Sequence, residues 1–454
     1  MLTVDEIIEA TGGSIVRVVR RGFAGISTDT RSITPDEIFL ALKGERFDGN
    51  NYLLDAMRLG AGAIVNPYAL YTEGILSKGD TALSATVITV DDTLKALKAI
   101  GHFKRRAFKG DVFAIVGSNG KTTTKEIVAS VLSQRFEVLK TPGNNNNHIG
   151  LPRTLSFITP NIQCLVLEMG TNMPNDIKNL CDIAMPEIAI ITNIGYEHLE
   201  GLRSLDGVRD AELEILPYVN TVIANADDDF LMSGLNGNFN LMTFGINNKD
   251  ADVRAFDIDN TRHGLSFKVL YAGKEMVINT NLFGLFNIYN CLAGVTAGIL
   301  KGLTYEEIKR GVQSFRPIEK RLNIVEHKDT VIINDTYNAN PSSMSVAIKE
   351  LKTIAGTDKR TIAVLGDMLE LGEVSQEMHR EIGRMLKENS ISLFVAVGEM
   401  MGYAFKEFGG EGKTFSDPSS AGEFLLNIIR EGDVILIKGS RGMKMENVLS
   451  VLTG

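Results

Sequence analysis

The chain of 454 residues has no tryptophan, six histidines and three cysteines. Cys164, Cys181 and Cys291 offer neither a disulfide framework nor metal-ligand spacing, which points to a reducing compartment. No apolar run approaches the roughly 20 residues of a membrane span. The opening MLTVDEIIEA is acidic where a secretory leader is basic, so a cytoplasmic location without membrane insertion is expected. An excess of positive charge is also missing. The formal net charge of -9 argues against a broad nucleic-acid surface and leaves room only for a local basic pocket that could hold phosphates.

What remains is an ordinary globular composition, 44% hydrophobic and 23% charged, in a chain too long for one core. At about 150 residues per domain the length suggests three domains. Residues 1–109 combine short strands and turn signals around STDTRSITPDEIFLALKGERFDGNNY (27–52), as in a small α/β domain. A different rhythm follows in residues 110–315. VFAIV (112–116) reads as a buried strand that breaks at Gly117, and the segment from Thr122 reads as a helix. Further buried strands at 164–169, 188–194 and 222–225 predict a mostly parallel sheet covered by helices, with residues 252–283 as an appendage of antiparallel hairpins. SFRPIEKR (314–321) marks the next boundary. Beyond it, strands at 331–334, 361–365, 393–397 and 434–437 alternate with helices and predict a Rossmann-like domain over 316–454. The expected fold is therefore α/β in three domains: a small N-terminal one, a central P-loop-type ATPase domain and a Rossmann-like C-terminal one.

GSNGKTTT (117–124) is the most informative stretch. Gly117, Ser118, Asn119 and Gly120 form a loop whose backbone N–H groups can turn toward an anion, Lys121 brings a charge to the β- and γ-phosphates, and Thr122, followed by Thr123, offers a hydroxyl to Mg²⁺ at a helix N-terminus. Ile115 stands where the longer P-loop pattern has its first glycine, so this is the shorter G-x-N-G-K-T-T form. A glycine turn that merely starts a helix is the bland alternative. The strand before it and the helix after it favour ATP.

Seven further segments occur in order: TPGNNNNHIGLPRT (141–154), EMGTN (168–172), TNIGYEHLEG (192–201), LFGLFNIYN (282–290), NDTYNANPSSM (334–344), LGDMLELG (365–372) and KGSRGMKME (438–446). With the loop they resemble the Mur ligase superfamily, which shares that loop with folylpolyglutamate synthases. The resemblance implies an ATP- and Mg²⁺-dependent enzyme that joins a carboxylate to an amine through an acyl phosphate.

Glu168 ends an apolar strand where a carboxylate can meet Mg²⁺; a solvated strand-end acid is the alternative. His198, on its own more often a capping or hydrogen-bonding group, is by resemblance a second-metal ligand. Asn287 and Asn290, spaced i, i+3, could read the adenine, although N-capping explains one of them equally well. The resemblance gives Asp335 to the ribose and Arg321 to the nucleotide phosphates, with a buried ion pair as the alternative for the arginine. Fourteen residues after His198, where the family typically has a carbamylated lysine, this chain has Glu212. Its carboxylate has the same charge but falls roughly 4 Å short in reach. The catalytic set implied is thus Lys121, Glu168, His198 and Glu212, and the metal set Thr122, Glu168, His198 and Glu212.

NANPSSM and the GDMLELGEVSQEMH behind it are similar to the D-alanyl-D-alanine-adding subtype, and the D-N-P-R signature of diaminopimelate-adding relatives is absent. The implied substrates are UDP-MurNAc-tripeptide and D-Ala-D-Ala. Thr28, Asp29, Thr30, Arg31 and Lys43 resemble the segments that hold the UDP-sugar, with Asn50 at a position usually occupied by histidine. Asn144, Asn146 and Asn147 are further substrate candidates, and Asn338 and Asn340 are assigned to the dipeptide end. A monomer is expected. Another subtype, a folylpolyglutamate synthase and a non-enzymatic nucleotide-binding regulator are the competing readings.

Overall fold

Strand Asp111–Val116 shows how the central domain is built. Its side chains alternate across the sheet: Phe113 and Ile115 enter a core with helices Lys121–Leu132, Phe286–Leu300 and Tyr305–Ser314. Val112, Ala114 and Val116 enter a second core with helices Gly150–Leu155 and Asp176–Ala184 on the other face. Burial on both faces explains why this strand reads as a continuous apolar run. In a computed structural model that describes residues 1–44, 47–72, 85–261 and 264–454, the sheet has nine strands. Val138–Lys140, Cys164–Glu168, Asp111–Val116, Ile188–Ile191, Thr221–Asn225 and Asn240–Gly245 run parallel in that spatial order.

The segment expected as an appendage continues this same sheet. Val253–Thr261 pairs in parallel with Asn240–Gly245, and Gly264–Tyr271 and Lys274–Thr280 add antiparallel strands. Phe267, Val269 and Ile278 pack into the first of the two cores, which is what fuses the hairpins to the domain.

The N-terminal strands Ser14–Arg17, Thr86–Thr89, Gly62–Val65, Ile38–Leu40 and Ile26–Ser27 form one sheet in that order, antiparallel only at the first pairing. Glu45 and Arg46 of the expected sugar-binding segment lie outside the described residues. The C-terminal sheet has the order Asn323–His327, Thr330–Asp335, Val434–Lys438, Thr361–Gly366, Leu393–Val397, Gly412–Phe415 and is parallel after its first pair. Ile362 and Val364 face one core and Ala363 and Leu365 the other. That second core also takes in Leu199, Leu202, Val208 and Ala211, so it crosses from the C-terminal domain into the central one. Among the described residues no helix is long and apolar enough to cross a membrane.

Candidate active site

Strand Asp111–Val116 is flanked by Cys164–Glu168 on one side and Ile188–Ile191 on the other, so the chain order reverses there. The carboxyl ends of strands at such a switch point leave a crevice for a ligand. All three strands deliver residues to it. Gly117 and Gly120 have φ of 115° and 81°, and a Cβ on Gly120 would come within 2.5 Å of Asn290 Oδ1. Glycine is required at both positions by backbone conformation and by close approach, since a Cβ on Gly117 would come within 2.4 Å of Thr192 Oγ1. The loop is fastened to the segment after Ile191. Ser118 N donates to Asn193 O at 2.8 Å, Asn119 N to Asn193 Oδ1 at 3.1 Å, and Thr192 Oγ1 to Asn119 O at 2.7 Å.

Lys121, the first residue of the helix, sits where the helix dipole is positive. Its ammonium donates to Gly117 O and faces Glu197 Oε1 at 3.4 Å and Glu212 Oε1 at 3.8 Å. Burial opposes its charge, but Glu197, Glu212 and Glu168 outweigh that and raise its pKa. Glu197 is 6% exposed, and its carboxyl is lifted far above the ordinary range, first by burial and then by Glu212, with Lys121 pulling the other way. Glu212, 0% exposed, accepts from Gly117 N at 2.7 Å and so braces the loop from below.

A second anionic point is Glu168, 1% exposed. Its Oε1 accepts from Thr122 Oγ1 at 3.2 Å and Asn146 Nδ2 at 2.9 Å, Lys125 lies 3.6 Å from its Oε2, and that Oε2 has no hydrogen-bond partner. An unpartnered carboxylate oxygen beside a threonine hydroxyl is a hard-oxygen donor set that fits Mg²⁺, which usually takes one or two carboxylates and completes its shell with water and phosphate. Among the described residues no group of three or more His, Cys, Asp or Glu side chains is placed to hold a metal ion, so Glu168, His198 and Glu212, expected together as metal ligands, are not gathered round one point. Arg321 Nη2 donates to Thr122 Oγ1 at 3.0 Å, and its guanidinium lies 3.9 Å over the Tyr337 ring.

His198 has φ 48° and is the N-terminal neighbour of helix Leu199–Leu202. Its Nδ1 is 2.6 Å from Glu370 Oε2 and its Nε2 3.8 Å from Glu197 Oε2. Burial and then Lys121 lower its pKa, against Glu370 and Glu212.

Most of these groups line one cavity of about 1080 Å³, while Gly117, Lys125, Glu212 and Glu370 do not border it. Gly120 through Thr124, Glu168, His198, Asn287, Asn290, Arg321, Asp335, Asn338 and Asn340 all border it, as do Ser118, Asn119, Asn144, Asn146 and Asn147. Asn290 Nδ2 donates to Asn287 Oδ1 at 2.8 Å, and Asn290 Oδ1 accepts from Thr124 Oγ1 at 3.0 Å, which ties their helix to the one that starts at Lys121. Asn147 Oδ1 caps Ile149 and Gly150. Asp335 accepts from Leu322 N and pairs with Lys438 at 2.5 Å. Asn340 caps helix Pro341–Ala355 and donates from Nδ2 to Asn119 Oδ1 at 3.0 Å. Its side chain thus touches the phosphate loop.

Thr28, Asp29, Thr30, Arg31 and Lys43 do not border this cavity; they lie beyond the ends of the strands Ile26–Ser27 and Ile38–Leu40. Arg31 pairs with Asp29 at 2.6 Å and holds that carboxyl down to about 2. Asn50 is buried and donates to Asp48 Oδ1 at 2.7 Å and to the Tyr68 hydroxyl at 3.1 Å. The N-terminal domain reaches the cavity through Leu94 and Lys98 on helix Thr93–Ala107. Sequence reasoning missed Glu197, Lys125, Tyr337 and Lys438. Glu197 had one available signal, an acid beside the singled-out His198.

A glycine loop with its lysine set among buried carboxylates, opening on a cavity that three domains share, defines a nucleotide-dependent enzyme of the P-loop class. The Mur ligase middle domain matches residues 115–298, and the Mur ligase, glutamate ligase domain matches residues 320–441. The UDP-N-acetylmuramoyl-tripeptide--D-alanyl-D-alanine ligase of Bacillus subtilis (strain 168) is 32% identical over 99% of this chain and 98% of its own length. The crystal structure of MurF from Acinetobacter baumannii superposes with a TM-score of 0.86 at 31% identity, covering 100% of this chain and 98% of that one. MurF ligase from Thermotoga maritima in complex with ADP gives 0.79 at 26% identity, covering 94% and 97%. The chain belongs to the Mur ligase family.

Proposed function

We propose that this protein is the ATP-dependent ligase that joins D-Ala-D-Ala to the terminal carboxylate of UDP-MurNAc-tripeptide in peptidoglycan precursor synthesis, acting in the cytoplasm. The observation that carries the reading is the single cavity to which the N-terminal helix, the phosphate loop and the C-terminal NANPSS segment all contribute. One enzyme can bring a nucleotide, a large anionic precursor and a dipeptide together there.

The loop N–H groups and Lys121 would receive the β- and γ-phosphates. Leu282, Phe286, Phe315 and Ile318 offer an apolar end for the base beside Asn287 and Asn290. Two buried carboxylates, Glu168 and Glu212, lie beside the loop, and a triphosphate would meet repulsion from them unless further cations enter with it. Thr122 and Glu168 would hold Mg²⁺, which when bound screens the phosphates from the attacking carboxylate. Lys121 then balances charge on the transferred phosphoryl group while the terminal carboxylate of the precursor attacks the γ-phosphate, breaking its bond to the bridging oxygen and releasing ADP. The dipeptide amine next attacks the acyl phosphate and expels phosphate. Asn338 and its neighbours would position that amine, and the domain contact at Leu199 and Leu202 would keep water out.

Phosphate release over a substrate panel tests this. Turnover that requires ATP, UDP-MurNAc-tripeptide and D-Ala-D-Ala together supports the reading, and turnover with a folate and glutamate overturns it.

A further inference from the structure

His198 and Glu370 meet across the boundary between the central and C-terminal domains, and both hold left-handed backbone conformations, with φ of 48° and 64°. Such conformations are uncommon for residues other than glycine and persist where the surroundings enforce them. The surroundings of Glu370 do so. Met368 N donates to Nε2 of the buried His379 at 3.0 Å, Leu369 N to Ser440 Oγ at 2.8 Å, and Ser440 N to Asp367 O at 3.1 Å. From the other side, Glu200 N donates to Glu370 O at 3.1 Å, while Met368 and Leu371 pack in one core with Leu199 and Leu202. The loop therefore presents the Glu370 carboxylate at a fixed point, although the side chain itself is 58% exposed.

We propose that Glu370 is a positioning residue for the ligation reaction, acting through His198. A carboxylate on Nδ1 selects the tautomer with the proton on that atom. It thereby leaves the Nε2 lone pair turned toward Glu197 and the Lys121 side of the cavity. Because Glu370 belongs to the C-terminal domain, His198 acquires this orientation only when the two domains are together. Docking of one domain thus completes a group in the other. The kinetic consequence rests on the ligase reading above; the orientation of the ring does not.

Two measurements on the full-length protein test the proposal, with Glu370→Ala, Glu370→Gln and Glu373→Gln as the variants. Nitrogen-15 NMR of the ligand-free protein, with the His198 resonances assigned by loss in His198→Gln, should show the Nδ1-protonated tautomer in the wild type and a mixture in Glu370→Ala. In steady-state assays Glu370→Ala should lower kcat on the order of tenfold while KM for ATP stays within about twofold, since a misaligned group costs turnover more than ground-state binding. Glu370→Gln keeps an acceptor oxygen and should recover part of the loss, and Glu373→Gln, exposed on the short helix Gly372–Val374 that follows, should match the wild type. An unchanged tautomer or an unchanged kcat in a Glu370→Ala protein that melts like the wild type overturns the proposal. If the wild type ligates no D-Ala-D-Ala, the functional reading fails and the NMR comparison alone decides the role of Glu370.

Discussion

The Lys121 ammonium and the Glu212 carboxylate face each other at 3.8 Å beneath the phosphate loop, one at the start of the loop's helix and the other at the end of helix Leu205–Glu212. Because Glu212 also accepts the Gly117 N–H, one buried acid holds both the loop's backbone and its cation. Lys121→Met should therefore do two things. Ligation should fall on the order of a hundredfold or more, because charge on the phosphoryl group loses its fixed cation. Stability should fall by about 3 kcal/mol, because a buried acid loses its partner. Phosphate release and urea unfolding measure the two effects, and ligation near the wild-type rate would refute the loop assignment.

Glu212 and Glu214 lie two residues apart with different work to do. Glu214 accepts from Asn175 N at 2.6 Å and Lys178 N at 3.0 Å, at the start of helix Asp176–Ala184. Glu214→Ala should cost about 1 kcal/mol of stability, as the loss of a cap does, and leave kcat nearly unchanged. Glu212→Ala should lose most activity. Since a glutamate needs no carbon dioxide to carry its charge, wild-type activity should be the same in bicarbonate-supplemented and carbon-dioxide-depleted buffer. Stimulation by bicarbonate, or normal turnover by Glu212→Ala, would count against the assignment.

Asn338 and Asn340 separate in the same way. Asn340 spends its side chain on Ser343 N at 2.8 Å and on Asn119 at 3.0 Å, so Asn340→Ala should raise KM for ATP as well as for the dipeptide and lose about 1 kcal/mol of helix capping. Asn338 Oδ1 has a weak contact with Arg441 N at 3.4 Å and borders the cavity. Asn338→Ala should raise KM for D-Ala-D-Ala alone. Equal changes in both KM values for Asn338→Ala would remove it from the dipeptide end.

The parts of the fold that could be read from the sequence are those whose burial is local. VFAIV and the strands at 188–191 and 434–438 are apolar on both faces, so composition alone reveals them. Val138–Lys140, Gly412–Phe415 and Asn323–His327 escaped because they are sheet edges with mixed composition, and pairing makes them strands. The hairpins over 253–280 were legible as hairpins but not as part of the central sheet, since the parallel pairing of Phe244 with Val253 leaves no pattern in the sequence. The site divides similarly. The Lys121 loop is a contiguous motif, whereas Glu197 matters because the fold brings it to a lysine 76 residues away, and Lys438 because it meets Asp335.

His379 provides a pH test of the loop that carries Glu370. Its ring is fully buried and neutral by geometry: Nε2 accepts the Met368 N–H at 3.0 Å, and Nδ1, 2.7 Å from Ser375 O, is the donor. Burial lowers its pKa, against the Ser375 carbonyl and Asp367. The unfolded chain protonates this ring near its ordinary value of about 6.5, and the folded chain only at lower pH. Below that value the unfolded state binds the extra proton, so the stabilising contribution is complete above about 6.5 and is lost as pH falls toward the folded pKa. Protonation would also turn Nε2 into a donor opposite the Met368 N–H. His379→Gln, which cannot titrate, should be less stable than the wild type at neutral pH by about 1–3 kcal/mol, the cost of disturbing a buried hydrogen bond. That deficit should shrink on acidification from about pH 7.5 to about pH 5.5, the window in which an ordinary histidine takes up its proton. Thermal melts of both proteins across that range measure it, and a constant difference in Tm would show that His379 has the same pKa in the folded and unfolded chain.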